Sequence, residues 1–336
     1  MTKESLCVAD MTVAPGERAQ VQVPAVRRFT HSEVVLPCEI VNGKLPGPVL
    51  FVSAALHGDE INGVEIVRRL LKRPELRRLR GALIAVPIVN VHGFLQHSRY
   101  LPDRRDLNRC FPGSTQGSLA ARVAHKFMKE IVSNATHGID LHTGALHRTN
   151  LPQVRACLDQ PETERLAEAF GAPLVLHANL RDGSLRQAVL ERDVPMLVYE
   201  GGEALRFGET AIRTGLRGVL SVMAALEMIP PRKVRKGQKP VTAQSSKWVR
   251  APDSGLLRTK LRPGSQVAAD QVIGHVSSPL GDHNTPIIAS CDGVVIGQRT
   301  LPLVDEGDAL FHIATFERPT ELAEQLAFLE EDLLDE

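Results

Sequence analysis

Two apolar segments of the chain each end on residues that can bind a metal ion. The segment VLFVSAALHGDE closes with His57 and Glu60, and GIDLHTGA places His142 at the end of its apolar run. An imidazole and a carboxylate three residues apart can reach one cation if the turn between them is tight, and Gly58 permits such a turn. With 12 histidines in the chain, about one H-x-x-E pair is expected by chance. The pair therefore indicates a metal site only in combination with His142.

The three residues match the donor set of a catalytic zinc site, which usually has three protein ligands and a fourth position for water. We predict that His57, Glu60 and His142 bind one Zn²⁺ per chain, while cobalt and manganese remain alternatives. Asp140 lies two residues before His142, so on a regular strand both side chains point to one face. We expect this carboxylate to orient the His142 imidazole. The competing interpretation is two core histidines satisfied by hydrogen bonds.

Two further motifs contain residues suited to substrate binding and proton transfer. In SRYLPDRRDLNRCFPG, Asn108 and Arg109 place a carboxamide beside a guanidinium, a combination that suits capture of a carboxylate. Arg99 could face a developing oxyanion. In PMLVYEGGE, Glu200 closes an apolar run, and a carboxylate near a zinc site can serve as general base and then as acid. Glu203 is the alternative base, but its position is more typical of a loop or helix start.

Strand-like apolar runs alternate with helical patterns over the first two thirds of the chain. The runs are almost continuously apolar, which is typical of strands buried on both faces of a sheet. This alternation predicts an α/β fold with a mixed, mostly parallel sheet covered by helices, and ligands at the carboxyl ends of its strands. The predicted strands are 47–56, 81–90, 137–143, 172–178 and 194–202, and the predicted helices are 61–73, 118–135, 161–171 and 208–229.

The helix that follows the H-x-x-E pair is amphipathic. We predict that its buried face contains Ile61, Val64, Val67 and Leu71, which recur at helical spacing. We also expect Asp59 to cap the start of this helix, since aspartate is favoured at that position.

Changes in composition divide the chain into five segments. Residues 1–29 are an N-terminal extension, and residues 30–232 form the predicted catalytic domain. A basic, proline-containing linker covers 233–247. Residues 248–316 show short strands with frequent turns, which predicts a small all-β domain. Residues 317–336 are predicted to form an acidic helical tail.

Composition and charge exclude several classes of protein. The formal net charge is +1, so nothing favours nucleic acid or an anionic membrane as a partner. No apolar run reaches the length of a membrane span, and the first residues lack the apolar core of a signal peptide. The five cysteines have no C-x-x-C spacing, so we expect a reduced, cytoplasmic protein. Exposed strand edges in the β domain allow a homo-oligomer.

The motifs HGDE, RYLPDRRDLNRCFPG, DLHTG and YEGG occur in the order and at the separations seen in one family. Together they resemble the succinylglutamate desuccinylase and aspartoacylase family, a branch of the zinc carboxypeptidase superfamily, and in particular its broad bacterial branch. The resemblance spans about residues 30 to 230. It implies a zinc-carboxypeptidase-like fold, and family members carry a C-terminal β domain, here with a barrel-sandwich-like texture, beside the mouth of the site.

The resemblance also implies a role for each motif residue. It assigns the metal to the His-x-x-Glu pair and the distant histidine, acid–base chemistry to the YEGG glutamate, and substrate contacts to the arginine-rich loop. The residues concerned are His57, Glu60 and His142 for zinc, Glu200 as base and acid, Arg99 for the oxyanion, and Asn108 with Arg109 for the substrate carboxylate.

We therefore expect a zinc-dependent amidohydrolase that hydrolyses the amide of a small N-acyl amino acid or a related carboxylate-bearing substrate. The alternatives are a metallocarboxypeptidase acting on short peptides, a zinc-dependent esterase, and a catalytically inactive zinc-binding module. An intact Glu200 disfavours the inactive module.

Overall fold

The buried segments of the chain pair into one large mixed sheet, and helices cover both of its faces. The computed structural model describes residues 3–178, 180–231, 240–243 and 245–316. Ten strands precede the predicted linker: β1 (Leu6–Val8), β2 (Met11–Val13), β3 (Arg18–Arg27), β4 (Glu33–Asn42), β5 (Leu45–Ala54), β6 (Arg80–Val86), β7 (His137–Gly144), β8 (Arg148–Ala156), β9 (Leu174–His177) and β10 (Met196–Glu203).

Six α-helices, three 3-10 helices and nine further strands complete the described elements. The 3-10 helices are Pro74–Arg78, Leu107–Arg109 and Val132–Asn134. The helices are α1 (Asn62–Leu70), α2 (Val91–Leu95), α3 (Leu119–Glu130), α4 (Pro161–Phe170), α5 (Leu185–Leu190) and α6 (Glu209–Ala225). The strands are β11 (Val241–Ala243), β12 (Ser245–Arg250), β13 (Gly255–Arg258), β14 (Gln266–Val267), β15 (Val272–Ser277), β16 (Asn284–Ile288), β17 (Gly293–Arg299), β18 (Leu303–Val304) and β19 (Ala309–Thr315).

Four parallel strands form the centre of the sheet, in the order β6, β5, β7 and β10. Their carboxyl ends meet at one edge, where ligands of α/β sheets are found. The register sets Ser53 beside Asp140 and His142 beside Glu200. Strand β8 runs antiparallel to β10 and pairs Gln153 with Glu200. The pairing thus brings residues from distant parts of the sequence to the same level of the sheet.

Two apolar cores lie on opposite faces of this sheet. One core packs helices α1, α4 and α6 against the sheet, and the other includes residues of α3, α5 and β3. Burial on both faces explains why the central strands are almost continuously apolar. The α/β prediction of a mixed sheet covered by helices is therefore confirmed. None of the described helices is both long and apolar enough to cross a bilayer.

The five predicted strands and four predicted helices are present. Each of these helices is shorter than predicted, whereas β5 and β10 are shifted along the chain and β7 extends one residue further, to Gly144. Two details of the first helix were wrong. The buried residues of α1 are Asn62, Gly63, Ile66, Val67 and Leu70. Of the predicted face only Val67 is buried, whereas Ile61, Val64 and Leu71 are half-buried. Asn62 donates a hydrogen bond to the Gly201 carbonyl at 3.0 Å, and a Cβ atom at Gly63 would lie 2.7 Å from Ala54 Cβ and 2.8 Å from Leu141 Cβ. These close contacts turn the Asn62–Gly63 side of the helix toward the sheet.

Asp59 does not cap helix α1. Ile61 occupies the N-cap position and makes no side-chain capping bond. Asp59 is buried, and its Oδ1 atom has no hydrogen-bond partner within the described part of the chain. Burial, together with the neighbouring Glu60, raises the pKa of this carboxyl group.

Strand β3 of the predicted extension over 1–29 belongs to the main sheet, whereas β1 and β2 form a separate two-stranded sheet. Strand β3 pairs with β4 along most of its length, and buried Val21 and Val23 alternate with exposed Gln20 and Gln22. The two valines belong to the core that includes α3. This N-terminal segment therefore completes one edge of the predicted catalytic domain.

The C-terminal strands are continuous with the same sheet. Strand β17 pairs with β8 and with β19, and β12 pairs with β19, while a separate four-stranded sheet contains β13, β15, β16 and β18. Part of the predicted linker, 233–247, is also structured, because β11 pairs with β9. The predicted acidic tail, 317–336, lies outside the described residues.

Helices α4 and α6 approach each other through a glycine, which gives a test of the core. A Cβ atom on Gly218 would lie 2.1 Å from a ring carbon of Phe170, whose ring stacks on Tyr199 with centroids 5.2 Å apart. Helix propensity alone predicts that Gly218→Ala stabilises the protein by about 1 kcal/mol. We expect overpacking to dominate and to lower the free energy of unfolding by about 1–3 kcal/mol.

Urea denaturation measures this difference. Ser221→Ala, in the same helix, is the matched control because it changes propensity without a comparable clash, and it should be neutral or stabilising by about 0.5 kcal/mol. A raised denaturation midpoint for Gly218→Ala would contradict the packing argument.

Candidate metal centre

Two imidazoles and one carboxylate converge at the carboxyl edge of the sheet. The Glu60 carboxylate lies between the histidines, with Oε1 2.8 Å from His57 Nδ1 and Oε2 2.7 Å from His142 Nδ1. Candidate ligand atoms of the three residues all lie within 4.8 Å of one another. The Glu60 side chain is only 2% exposed, so the contacts form in a desolvated site.

The backbone explains how residues three apart reach the same point. Strand β5 ends at Ala54, and the chain then turns through His57 and Gly58 before α1 begins. A Cβ atom at position 58 would lie 2.0 Å from the carbonyl carbon of Gly93, so only glycine allows helix α2 to approach this closely. The turn is closed by the Glu60 backbone N–H, which donates to the His57 carbonyl at 3.1 Å.

A second carboxylate contacts the other ring nitrogen of each histidine. Asp140 Oδ2 lies 2.6 Å from His142 Nε2, and Asp106 Oδ1 lies 3.1 Å from His57 Nε2. Ser53 donates to the other oxygen of Asp140 at 2.7 Å. Each imidazole is thus fixed in orientation from its outer side, and its Nδ1 atom faces the centre of the site.

The charges of these groups depend strongly on one another. Burial opposes the charge on His142, but Asp140 and Glu60 outweigh it and hold the pKa of the imidazole well above its ordinary value. Burial likewise opposes the charge on Glu60, and the two histidines outweigh it and lower the pKa of this carboxyl group far below its usual range. A carboxylate oxygen at each ring nitrogen favours the protonated imidazole, which can donate on both sides.

The same residues fit a divalent metal ion. Two imidazole nitrogens and one carboxylate are a known donor set for catalytic zinc. Outer carboxylates on both histidines are the usual support for metal-bound imidazole. A cation at the centre would take the place of the protons on the Nδ1 atoms of His57 and His142, so binding would release protons. The donor chemistry therefore suits zinc at His57, Glu60 and His142.

Arg99 connects two of these carboxylates. Its Nη1 donates to Glu60 Oε1 at 3.0 Å, and its Nη2 donates to Asp106 Oδ2 at 3.1 Å. The two contacts use two of the five N–H donors of the guanidinium. Arg99 also lines the cavity above the site, where we predicted an oxyanion contact.

Asn108 and Arg109 also line the cavity, on a 3-10 turn that Asp106 caps. The backbone N–H of Asn108 donates to Asp106 Oδ1 at 2.8 Å. The Asn108 Oδ1 accepts from the backbone N–H of Leu185 at 2.9 Å, which holds this loop against the start of α5. Arg109 is exposed at the rim and donates to the Asn108 carbonyl.

Glu200 lines the same cavity and is 17% exposed. Its Oε2 accepts a hydrogen bond from Asn150 Nδ2 at 2.7 Å, and Arg155 Nε lies 3.3 Å from its Oε1. Glu203, the alternative base, is not among the lining residues of this cavity. It accepts from Thr300 Oγ1 at 2.9 Å instead.

The cavity has a volume of about 280 Å³ and is strongly basic. Burial, reinforced by repulsion from Arg155, lowers the pKa of the Arg186 guanidinium. Six arginines line the cavity against three carboxylates: Arg99, Arg109, Arg148, Arg155, Arg181 and Arg186 against Glu60, Asp140 and Glu200. Such a cavity favours an anionic ligand.

The C-terminal strands contribute one wall of the cavity. Trp248 of β12 lines it and stacks on His312 of β19, with ring centroids 4.5 Å apart and planes within 6°. The Arg148 guanidinium lies 5.5 Å from the centroid of the indole. Burial, together with Arg155, lowers the pKa of His312 to about 3, so this ring is neutral near pH 7.

Sequence reasoning missed three residues that contact the predicted site. Asp106 stands inside the RDLNR motif, two residues before Asn108, so a signal was present although its partner His57 is distant in sequence. Asn150 and Arg155 lie on β8, whose sequence RTNLPQVRA has no apolar run that would predict a buried strand.

Comparison with known proteins gives a consistent set of relatives. The model of the succinylglutamate desuccinylase/aspartoacylase catalytic domain matches residues 46–226. An N-alpha-acetyl-L-2,4-diaminobutyric acid deacetylase from Halomonas elongata is 27% identical over 295 residues, which cover 84% of this chain and 86% of that protein.

Solved structures share the fold. A succinylglutamate desuccinylase/aspartoacylase from Rhodobacter sphaeroides superposes with a TM-score of 0.79 at 24% identity. The product-bound ectoine utilization protein EutE (DoeB) from Ruegeria pomeroyi superposes with a TM-score of 0.81 at 22% identity. Each match covers 89% of this chain and 95% of the other. Similarity at these identities shows a common fold alone.

Proposed function

The chain belongs to the succinylglutamate desuccinylase/aspartoacylase family, and on this premise we propose that it is a zinc-dependent deacylase. Its substrate is a small N-acyl amino acid or a related carboxylate-bearing molecule, whose amide bond it hydrolyses. The observation that carries this proposal is that the converging set of His57, Glu60 and His142 shares one cavity with Glu200. A metal-binding set and a separate carboxylate are what metal-assisted hydrolysis requires.

Zinc held by the three ligands would supply Lewis acidity and lower the pKa of water toward about 7. Glu200 takes the proton of the attacking water on its carboxylate and later delivers it to the nitrogen of the leaving amine. Arg99 faces the acyl oxygen and stabilises the negative charge that develops there. Asp140 and Asp106 keep the two histidines in orientation during these steps.

The basic cavity determines which substrates bind. Asn108 and Arg109 hold the carboxylate of the substrate, since a guanidinium beside a carboxamide suits that group. The six arginines of the cavity favour an anionic group on the substrate, such as this carboxylate. The name of the Halomonas relative, a deacetylase of an N-acetylated amino acid, supports amide hydrolysis on a small molecule of this class.

A substrate panel tests the proposed activity. The zinc-loaded protein should release free amine from N-acetyl and N-succinyl amino acids, and it should act much more slowly on the matching amides that lack a carboxylate. Ester analogues and short peptides in the same panel separate the esterase and carboxypeptidase alternatives. Cleavage of peptides alone, or no hydrolysis of any compound by the zinc-loaded protein, would contradict the proposal.

The metal requirement is tested at a ligand. We expect His142→Ala to lose bound zinc and activity, because the remaining imidazole and carboxylate form an incomplete set. Elemental analysis measures the zinc content of the purified protein. His147→Ala, at a neighbouring histidine that does not line the cavity, is the matched control and should keep one zinc per chain. Full zinc occupancy in His142→Ala would show that this residue is not a ligand.

The acid–base role is tested by Glu200→Gln. This change preserves size and removes the basic oxygen, so kcat should fall by about 10²–10⁴-fold while zinc stays bound. Glu203→Gln provides the comparison three residues away and should retain most of the wild-type rate. Wild-type turnover by Glu200→Gln would refute the assignment.

A further inference from the structure

Strand β8 places two side chains against the two oxygens of Glu200. Asn150 Nδ2 donates to Oε2 at 2.7 Å, and Arg155 Nε lies 3.3 Å from Oε1. The first distance is that of a good hydrogen bond, whereas the second is longer than the usual range for N–H···O bonds. Asn150 is therefore the better-placed donor of the two.

We propose that Asn150 is a positioning residue for Glu200, and that strand β17 of the C-terminal region holds Asn150 in place. The inference rests on the proposed role of Glu200 as the base. Asn150 is not a candidate metal ligand, and β17 contains none. Their effect on hydrolysis is therefore exerted through the orientation of the Glu200 carboxylate.

A hydrogen bond can fix this orientation because the terminal torsion of glutamate is otherwise broad. The bond from Asn150 occupies Oε2 and selects one rotation of the carboxylate. Oε1, which has the longer contact to Arg155, then becomes the oxygen that takes up and returns the proton. A small misplacement of a catalytic group can cost about 10²-fold in rate, so one hydrogen bond to the base has a large effect on kcat.

The contact with β17 depends on a glycine. Gly297 pairs with Asn150 in the antiparallel β17–β8 ladder. A Cβ atom at position 297 would lie 2.9 Å from Asn150 Oδ1, and its next neighbour would be His312 Cβ at 3.3 Å. A side chain there would push on the Asn150 amide from outside the cavity. The backbone of β8 would stay in ordinary contact, with Thr149 O 3.6 Å from the added Cβ, so the Asn150 amide is the group that would have to move.

This geometry gives a test with matched variants. Asn150→Ala should lower kcat by about 10²-fold, because the lost hydrogen bond orients the base. KM should change little, because this bond is made to Glu200 and not to the substrate. Asn150→Asp keeps the shape and removes the donor, so it should lose at least as much activity even if the alanine variant folds poorly. Thr149→Ala, on the same strand but outside the cavity lining, should retain wild-type kcat.

Double mutants separate positioning from general structural damage. In the Glu200→Gln background, Asn150→Ala should cause no further loss of the residual rate, because the residue acts through the carboxylate. Gly297→Ala should lower kcat in the wild-type protein and have no further effect in the Asn150→Ala background. Zinc content and melting temperature of each variant should match those of Thr149→Ala.

Three results would overturn the inference. Wild-type kcat in both Asn150 variants would exclude positioning, and an equal loss in the Glu200→Gln background would identify a structural effect. A further loss from Gly297→Ala in the Asn150→Ala background would exclude the link through β17. Wild-type turnover by Glu200→Gln would instead remove the base assignment of the proposed function, and the inference with it.

Discussion

The arrangement of the site depends on one buried carboxylate, that of Glu60, held between two imidazoles. An ionised carboxylate in a desolvated position is costly unless it is fully compensated. His57 and His142 compensate it on both oxygens, Arg99 adds a further bond, and the Thr143 backbone N–H donates at 3.1 Å. Strands β5 and β7 and the turn after β5 must therefore keep a fixed relation, because any slip would leave this charge unpaired.

Asp106 connects this network of buried charges to the loop that binds substrate in our proposal. Asp106 contacts His57, accepts from Arg99 and caps the turn that carries Asn108. One side chain thus joins the candidate metal centre, Arg99 and the turn that carries Asn108. Burial opposes ionisation of Asp106, but His57 and Arg99 lower the pKa of its carboxyl group far below the usual range, so it keeps its charge across the physiological pH range.

The sequence predicted the parts of this structure that depend on local pattern. Apolar runs ending in His57 or His142 indicate buried strands, and two-residue spacing puts Asp140 beside His142. Strand β3 also has an alternating pattern, with Val21 and Val23 buried, and could have been predicted from it. Strand β8 could not be predicted, because Asn150, Gln153 and Arg155 interrupt its apolar pattern. Asn150 and Arg155 are polar because they contact Glu200, and Gln153 pairs with Glu200 in the ladder. Partners such as Asp106 for His57 are likewise determined by tertiary structure.

The position of Trp248 allows the cavity to be followed by fluorescence. It is the only tryptophan in the chain, and it lies in the cavity wall against His312 and Arg148. The tryptophan fluorescence of the protein therefore originates in the cavity wall, on a strand of the C-terminal region. Ligand binding in the cavity and separation of the C-terminal strands from the main sheet both change the environment of this indole. Its fluorescence therefore reports both events without an added label.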